Sequence, residues 1–261
     1  MRIVVLVKYV PEPTAQWRFT GDLTVDREAV EGRLSELDEH AVEQAVRLVE
    51  GGLDAQVTFL TVGPARATEG LRKALAMGGD AAVHVLDPAI HGSDALGTSL
   101  VLAEAVRRLE PDLVLCGMAS TDAEMSVMPA MVAERLGAGL ASFASALSVD
   151  PQAGTVTIRR NGDRATEEVV AHLPAVVSVT DQAGEARYPA FRAIMAAKKK
   201  PLTTWTLADL GVSPTDVGPA AGGTVVRQAA PAPERQSGTV LVDEGDAAVQ
   251  VAEFLTTRGF L

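Results

Sequence analysis

Arg2-Ile3-Val4-Val5-Leu6-Val7-Lys8-Tyr9-Val10 is the stretch that decides the fold class. From Ile3 to Val7 it is apolar without a break and mostly β-branched. A strand with one wet face alternates apolar and polar residues, whereas a strand covered on both faces does not. The run therefore predicts a strand over Arg2–Val10 with helices above and below it.

The chain after that strand fits this reading. Residues 11–35 are irregular, with Pro11, Pro13, Trp17 and Phe19, and have room for a short hairpin. Ser35 precedes an amphipathic helix over 36–50 that Gly51-Gly52 ends. A strand over 55–62 and a helix over 64–77, closed by Gly78-Gly79, come next. A strand over 82–86 leads to a helix capped by Ser93 that runs to Leu109, and a strand over 112–116 leads to a helix over 126–136 closed by Gly137. Such alternation predicts an α/β protein with a mostly parallel sheet and helices on both faces. Ligands of such sheets bind beyond the carboxyl ends of the strands, here the loops after Val7, Val62 and Cys116.

After Gly137 the period changes. Residues 147–149, 155–160, 168–172 and 175–180 read as shorter strands with a turn at Asn161-Gly162-Asp163, which predicts a small antiparallel portion. One helical turn fits 207–210. Residues 214–240 are rich in Pro, Ala and Gly and read as a linker or extended arm, followed by an amphipathic helix within 245–259. A helix on such an arm must dock on its own core or on a partner. The expected organisation is a core over 1–185, a basic segment over 186–205, and an arm with its helix over 206–261.

Composition excludes several functions. The 261 residues carry 23 Lys and Arg against 34 Asp and Glu, a net charge of −11 that argues against a nucleic-acid surface. A single cysteine, Cys116, excludes an internal disulfide and a cysteine-built metal centre. In Leu113-Val114-Leu115-Cys116 it reads as a small buried hydrophobe. His40, His84, His91 and His172 have no ligand spacing, so no metal site is expected. No apolar run approaches the ~20 residues of a membrane span, so no membrane insertion is expected. The chain enters its first strand directly, without a signal or transit pattern, and the expected location is cytoplasmic.

Two segments are candidates for function. The first is Gly117-Met118-Ala119-Ser120-Thr121-Asp122-Ala123-Glu124-Met125-Ser126-Val127-Met128. Small residues let a ligand approach the backbone, and free N–H groups at the following helix N-terminus suit a phosphate. An ordinary strand–loop–helix connection explains the residues equally well, for there is neither a Walker loop nor a Rossmann glycine triplet. Asp122 and Glu124 should repel a phosphate. They either compensate the helix N-terminus or face a ribose, a base or water. The second segment is Ala186-Arg187-Tyr188-Pro189-Ala190-Phe191-Arg192-Ala193-Ile194-Met195-Ala196-Ala197-Lys198-Lys199-Lys200-Pro201. It predicts a helix over 190–199 that begins near Pro189 and ends in three lysines. Phe191, Ile194 and Met195 share one side, either to dock the helix on its own core or to project as a recognition element.

This second segment resembles the end of the core in the electron-transfer flavoprotein β subunits. The opening Ile3 to Pro11, Asp38 to Leu48, Val62-Gly63-Pro64-Ala65, Ala74 to Asp80 and Leu173-Pro174-Ala175-Val176-Val177 resemble further blocks of that family in the same order, over roughly residues 1–205. The resemblance implies a Rossmann-like sheet of the adenine nucleotide alpha hydrolase type, and an electron carrier rather than an enzyme with its own catalytic residues. It implies AMP held by Leu6, Ser35, Glu36, Leu37, Asp38, Val62 and Gly117 to Met128, with FAD mainly on a larger α subunit in an obligate heterodimer. It also implies acyl-CoA and related dehydrogenases as electron donors in fatty acid β-oxidation and a quinone-linked oxidoreductase as acceptor. Arg187, Tyr188, Phe191, Ile194, Met195, Lys198, Lys199 and Lys200 would then meet the donor. The chain departs from the family in having Val127 and Met128 where polar side chains are frequent, Phe191 in place of an aliphatic anchor, and Asn161 where some members carry an acidic residue facing the flavin. Two other readings stay open: a stand-alone nucleotide-binding regulator of the universal-stress type, and a bifurcating variant with a second FAD in place of AMP.

Overall fold

The computed structural model describes residues 1–230, 233 and 238–261. The chain divides into a unit over Met1–Arg227 and a second over Gln228–Leu261. The first unit is built on β1 (Arg2–Leu6), β2 (Tyr9–Pro11), β3 (Gly32–Leu34), α1 (Glu36–Glu50), β4 (Gln56–Val62), α2 (Ala67–Met77), β5 (Ala81–Val85), α3 (Ala95–Leu109), β6 (Leu113–Gly117) and α4 (Met128–Leu136). There follow β7 (Gly139–Ala144), β8 (Ala146–Asp150), β9 (Thr155–Asn161), β10 (Thr166–His172), β11 (Ala175–Val179), α5 (Phe191–Ala197), β12 (Leu202–Trp205) and α6 (Leu207–Leu210).

Seven strands form one parallel sheet in the order β12-β5-β4-β1-β6-β11-β7. The expected α/β architecture is therefore present, and β1 lies near its middle. Ile3, Val5 and Val7 point into the core shared with α1 and α2, while Val4 and Leu6 point into the core shared with α3 and α4. This two-sided burial is why the opening run has no polar residue between Arg2 and Lys8. The antiparallel portion is a three-stranded sheet, β10-β9-β8.

Several expectations change. The first strand ends at Leu6 rather than Val10, because the chain leaves the sheet there and Tyr9–Pro11 pairs antiparallel with Gly32–Leu34. Gly32 is required at that pairing, since a Cβ would lie 2.3 Å from the Tyr9 ring. β11 belongs to the main parallel sheet, not to the antiparallel portion, as its five buried residues demand. The sequence reading passes over β7 and β12. Both close the sheet edges with short, small or Thr-rich segments of weak signal. Ser93 does not cap α3. The Asp94 carboxylate does so, accepting N–H from Leu96 and Gly97, while Ser93 Oγ accepts the Gly218 N–H.

The first unit also runs past the expected 205 boundary. β12 adds to the sheet, and Leu207, Val212 and Val217 are buried against the α3 face. Gly223 and Thr224 donate to the Asp94 carboxylate, so the early arm is tied down at the N-terminus of α3. In the second unit α7 (Ala247–Thr257) has no buried residue, and Val249, Val251 and Phe254 are exposed. Of the expected arm, residues 231, 232 and 234–237 lie outside the described residues. No described helix is long and apolar enough to cross a membrane.

Candidate functional site

β1 connects through α1 to β4 on one side, while β6 returns to its other side, so the strand order reverses between β1 and β6. In a doubly wound sheet this switch point opens a crevice beyond the strand ends. Here the crevice is a cleft of about 160 Å³. It brings together many of the residues singled out in the sequence: Leu6, Asp38, Val62, Gly117 to Ser120, Ala123 and Met125 to Met128.

The remaining expected site residues stand behind or beside the cleft. Ser35 is fully buried, and its Oγ accepts the Thr121 N–H at 3.4 Å. Glu36 is exposed and pairs with Arg33 at 2.9 Å. The Leu37 backbone packs so closely on Gly117 that a Cβ there would lie 2.7 Å from the Leu37 carbonyl carbon. Glu124 is exposed and Asp122 is turned inward.

Asp122 is tied into the protein by ion pairs. Its side chain is 2% exposed, and it pairs with Lys8 Nζ at 2.7 Å and Arg27 Nη2 at 2.6 Å. Burial alone would raise its pKa, but the two cations outweigh that and hold the carboxyl at about 2. It is neither a helix cap nor a free repulsive charge. It joins the loop after β6 to the β1–β2 connection and to the 12–31 excursion. Lys8, which the sequence reading passed over, also donates to Ser120 Oγ at 3.3 Å and lines the cleft.

The fourth helix begins at Met128 rather than Ser126, because Ser126 sits at φ 54°, in the left-handed region that a helix cannot contain. No side chain caps it, and the N–H groups of Ser126, Val127 and Met128 take no acceptor among the described residues. The Thr121 hydroxyl is likewise buried without a partner. An uncapped helix start with unmatched N–H groups beside a lysine is chemically suited to an anion. Ala95, Thr98 and Leu102 of α3 also line the cleft and were missed. The available signal was that α3 follows β5, whose carboxyl end lies on the same sheet edge.

The basic segment forms a second candidate surface. Tyr188 is 96% and Phe191 79% exposed, and Ile194 and Met195 are exposed as well. The apolar side therefore does not dock on its own core. What fixes α5 is the buried Ala197 together with charges turned inward. Arg187 binds Glu43 and Glu50 at 2.7 and 2.6 Å, and Arg72 donates to the carbonyls of Ala197 and Lys200. Lys200 Nζ donates to the carbonyls of Leu75, Gly78 and Gly79 at the end of α2. Lys198 and Lys199 are exposed just beyond α5. An open hollow of about 630 Å³ between α2 and α5 is lined by Arg72, Lys73, Tyr188, Pro189, Ile194 and Lys198, among others. It is larger than the cleft but lies away from the strand ends. Asn161, at the end of β9, donates to Gln182 Oε1 at 2.7 Å.

Fold and crevice together define a doubly wound α/β protein with a ligand cleft at the switch point of its sheet. Comparison with known proteins narrows this class. The electron transfer flavoprotein domain matches residues 22–210. The chain is 43% identical to the electron transfer flavoprotein subunit beta of Mycobacterium leprae over 98% of both chains. It is 33% identical to that of Methylophilus methylotrophus over 98% of this chain and 97% of the relative, and 30% to that of Megasphaera elsdenii over 94% and 93%. The chain belongs to the electron transfer flavoprotein β-subunit family.

Proposed function

We propose that this chain pairs with a larger α subunit that carries most contacts to FAD, and that the strand-end cleft holds AMP. In this reading the pair accepts electrons from acyl-CoA and related dehydrogenases and passes them to a quinone-linked oxidoreductase. FAD, when bound, supplies the electron-accepting and electron-donating chemistry, and the residues of this chain bind and orient. The observation that carries the nucleotide part is the uncapped start of α4, whose N–H groups border the switch-point cleft beside Lys8. One phosphate matches that donor set, while the triphosphate apparatus of a loop lysine with a bound magnesium has no counterpart in the sequence. Similarity to β subunits over nearly the whole chain supports this reading over a stand-alone regulator. The exposed Tyr188, Phe191, Ile194 and Met195 with Lys198 and Lys199 are the proposed surface for the dehydrogenase, and Arg187 and Lys200 hold it in place from behind.

Heating the purified complex and identifying released nucleotides by mass spectrometry tests the cleft. AMP released together with FAD, in equal amounts, is the expected outcome. FAD at two equivalents without AMP would favour the bifurcating variant, and no adenine nucleotide beside the flavin would overturn the cleft assignment. Expressed alone, the chain should hold little flavin, and with its α subunit it should give a yellow one-to-one complex. A yellow, monodisperse protein from this chain alone would refute the partition of FAD.

A further inference from the structure

The cleft contains a carboxyl group that the reading above does not use. Asp38 lies in the first turn of α1, is 6% exposed, and reaches the cleft between the ends of β1 and β6. Its Oδ2 accepts the Lys8 N–H at 2.8 Å and its Oδ1 accepts the Gly117 N–H at 3.2 Å. The fit is tight, for a Cβ on Gly117 would lie 2.7 Å from Oδ1. The titratable groups around it come from several elements. Lys8 comes from the β1–β2 connection, Cys116 from β6, Asp122 from the following loop, and Arg27 stands behind Asp122. Burial pushes the Cys116 thiol far up, so it stays neutral.

The ionic group is thus two cations and two carboxylates. Asp122 is ionised at neutral pH. Burial pushes Asp38 up to about 7, against the N–H bonds from Lys8 and Gly117 and the Lys8 charge. With Asp38 ionised the group sums to zero, and with Asp38 protonated it carries one positive charge. A phosphate placed in this cleft adds a nearby anion, which disfavours the carboxylate further.

Resting on the anion reading of the cleft, we propose that Asp38 sets the charge of the crevice and that a phosphomonoester enters together with one proton taken from solvent by the Asp38 carboxylate. The O–H bond forms on Asp38, the proton leaves the buffer, and no electrons move. The shorter bond from Lys8 N–H persists on the carbonyl oxygen, and the longer one from Gly117 is released.

Calorimetric titration of AMP into the full chain, freed of nucleotide, in two buffers of different ionisation enthalpy counts the protons. At pH 8 the expected uptake approaches about one proton per AMP, and affinity falls up to about tenfold per pH unit above 7. Asp38→Asn should abolish both. Its amide nitrogen would face one of the two N–H donors that the carboxylate oxygens now accept, so the variant can lose stability. Should it fail to fold, the wild-type chain still decides. Its infrared difference spectrum on adding AMP should gain a protonated-carboxyl C=O band. Equal uptake in wild type and Asp38→Asn, affinity that is flat between pH 7 and 9, or no carboxyl band would overturn the inference while leaving AMP binding intact. Failure of AMP to bind at any pH would overturn the cleft assignment, and the inference with it.

Discussion

The strand-end cleft and the α5 surface use charge in opposite ways. In the cleft, ion pairs form the inner layer: Asp122 draws Lys8 and Arg27 together behind a loop whose last N–H groups, those of Ser126, Val127 and Met128, stay unmatched among the described residues. At α5 the Arg187 ion pairs and the Lys200 hydrogen bonds lie behind a helix and anchor it, while its apolar side stays uncovered. One arrangement fixes a polar cradle and the other fixes an apolar knob. The sequence of either segment names the charges but not the direction in which they point. Arg187 and Lys200 read as groups facing a partner and turn inward, and Asp122 reads as a repulsive group and is neutralised.

The largest expected effect strikes the cleft. Asp122→Ala leaves Lys8 and Arg27, each about a third exposed, without their shared partner, and solvent reaching both cations limits the cost to about 2 kcal/mol. Urea unfolding at pH 7 measures it. The pH dependence has a definite sign. The folded pKa lies below the unfolded one, so the contribution is full above pH 3.8 and is lost as pH falls through about 2. The shift corresponds to about 2 kcal/mol, and this part of the acid transition should be missing in the variant. An unchanged acid limb in Asp122→Ala would mean that Lys8 and Arg27 find equivalent partners elsewhere.

How far each region could be read from sequence follows the same division. The continuous apolar runs at Ile3–Val7 and Leu113–Cys116 specify buried parallel strands, because only two-sided burial removes the polar alternation. The strand-end rule then places the cleft at Val62 and Gly117. What the sequence conceals depends on partners distant along the chain. Arg27 meets Asp122 across 95 residues, and Arg187 meets Glu43 across 144. β12 is four residues long and exists because β5 offers it an edge. Ser126 in the left-handed region, which delays α4 by two residues, has no local signature such as a glycine.

The second effect strikes the knob. Truncating an exposed aromatic anchor at a docking surface typically costs about 2 kcal/mol of binding. Phe191→Ala should therefore slow dehydrogenase-dependent flavin reduction more than tenfold at limiting partner concentration. Its unfolding free energy should stay within about 0.5 kcal/mol of wild type, as expected of an exposed position. Wild-type reduction rates would show that docking lies elsewhere. Lys200→Met sharpens the contrast from behind. It removes a cation from three carbonyls at the end of α2, each within 3.4 Å, and should cost about 1.5 kcal/mol of stability. Its effect on reduction should be smaller than that of Phe191→Ala. The reverse ranking would make Lys200 part of the docking surface.

The smallest effect belongs to the two lysines that remain outside. Lys198 and Lys199 are exposed, and neither makes a salt bridge or a side-chain hydrogen bond among the described residues. Charges of that kind act on encounter more than on the bound state, because they attract a partner before contact and stay hydrated after it. Replacing both with Gln should slow association a few-fold at low ionic strength. At 0.1 M salt the screening length shrinks to about 10 Å, and the difference should fade as salt rises further. Dissociation should hardly change. Stopped-flow reduction across a salt series separates these cases. A loss that persists at high salt would place Lys198 or Lys199 in direct contact with a partner carboxylate, and the cationic rim would then resemble the paired charges of the cleft rather than contrast with them.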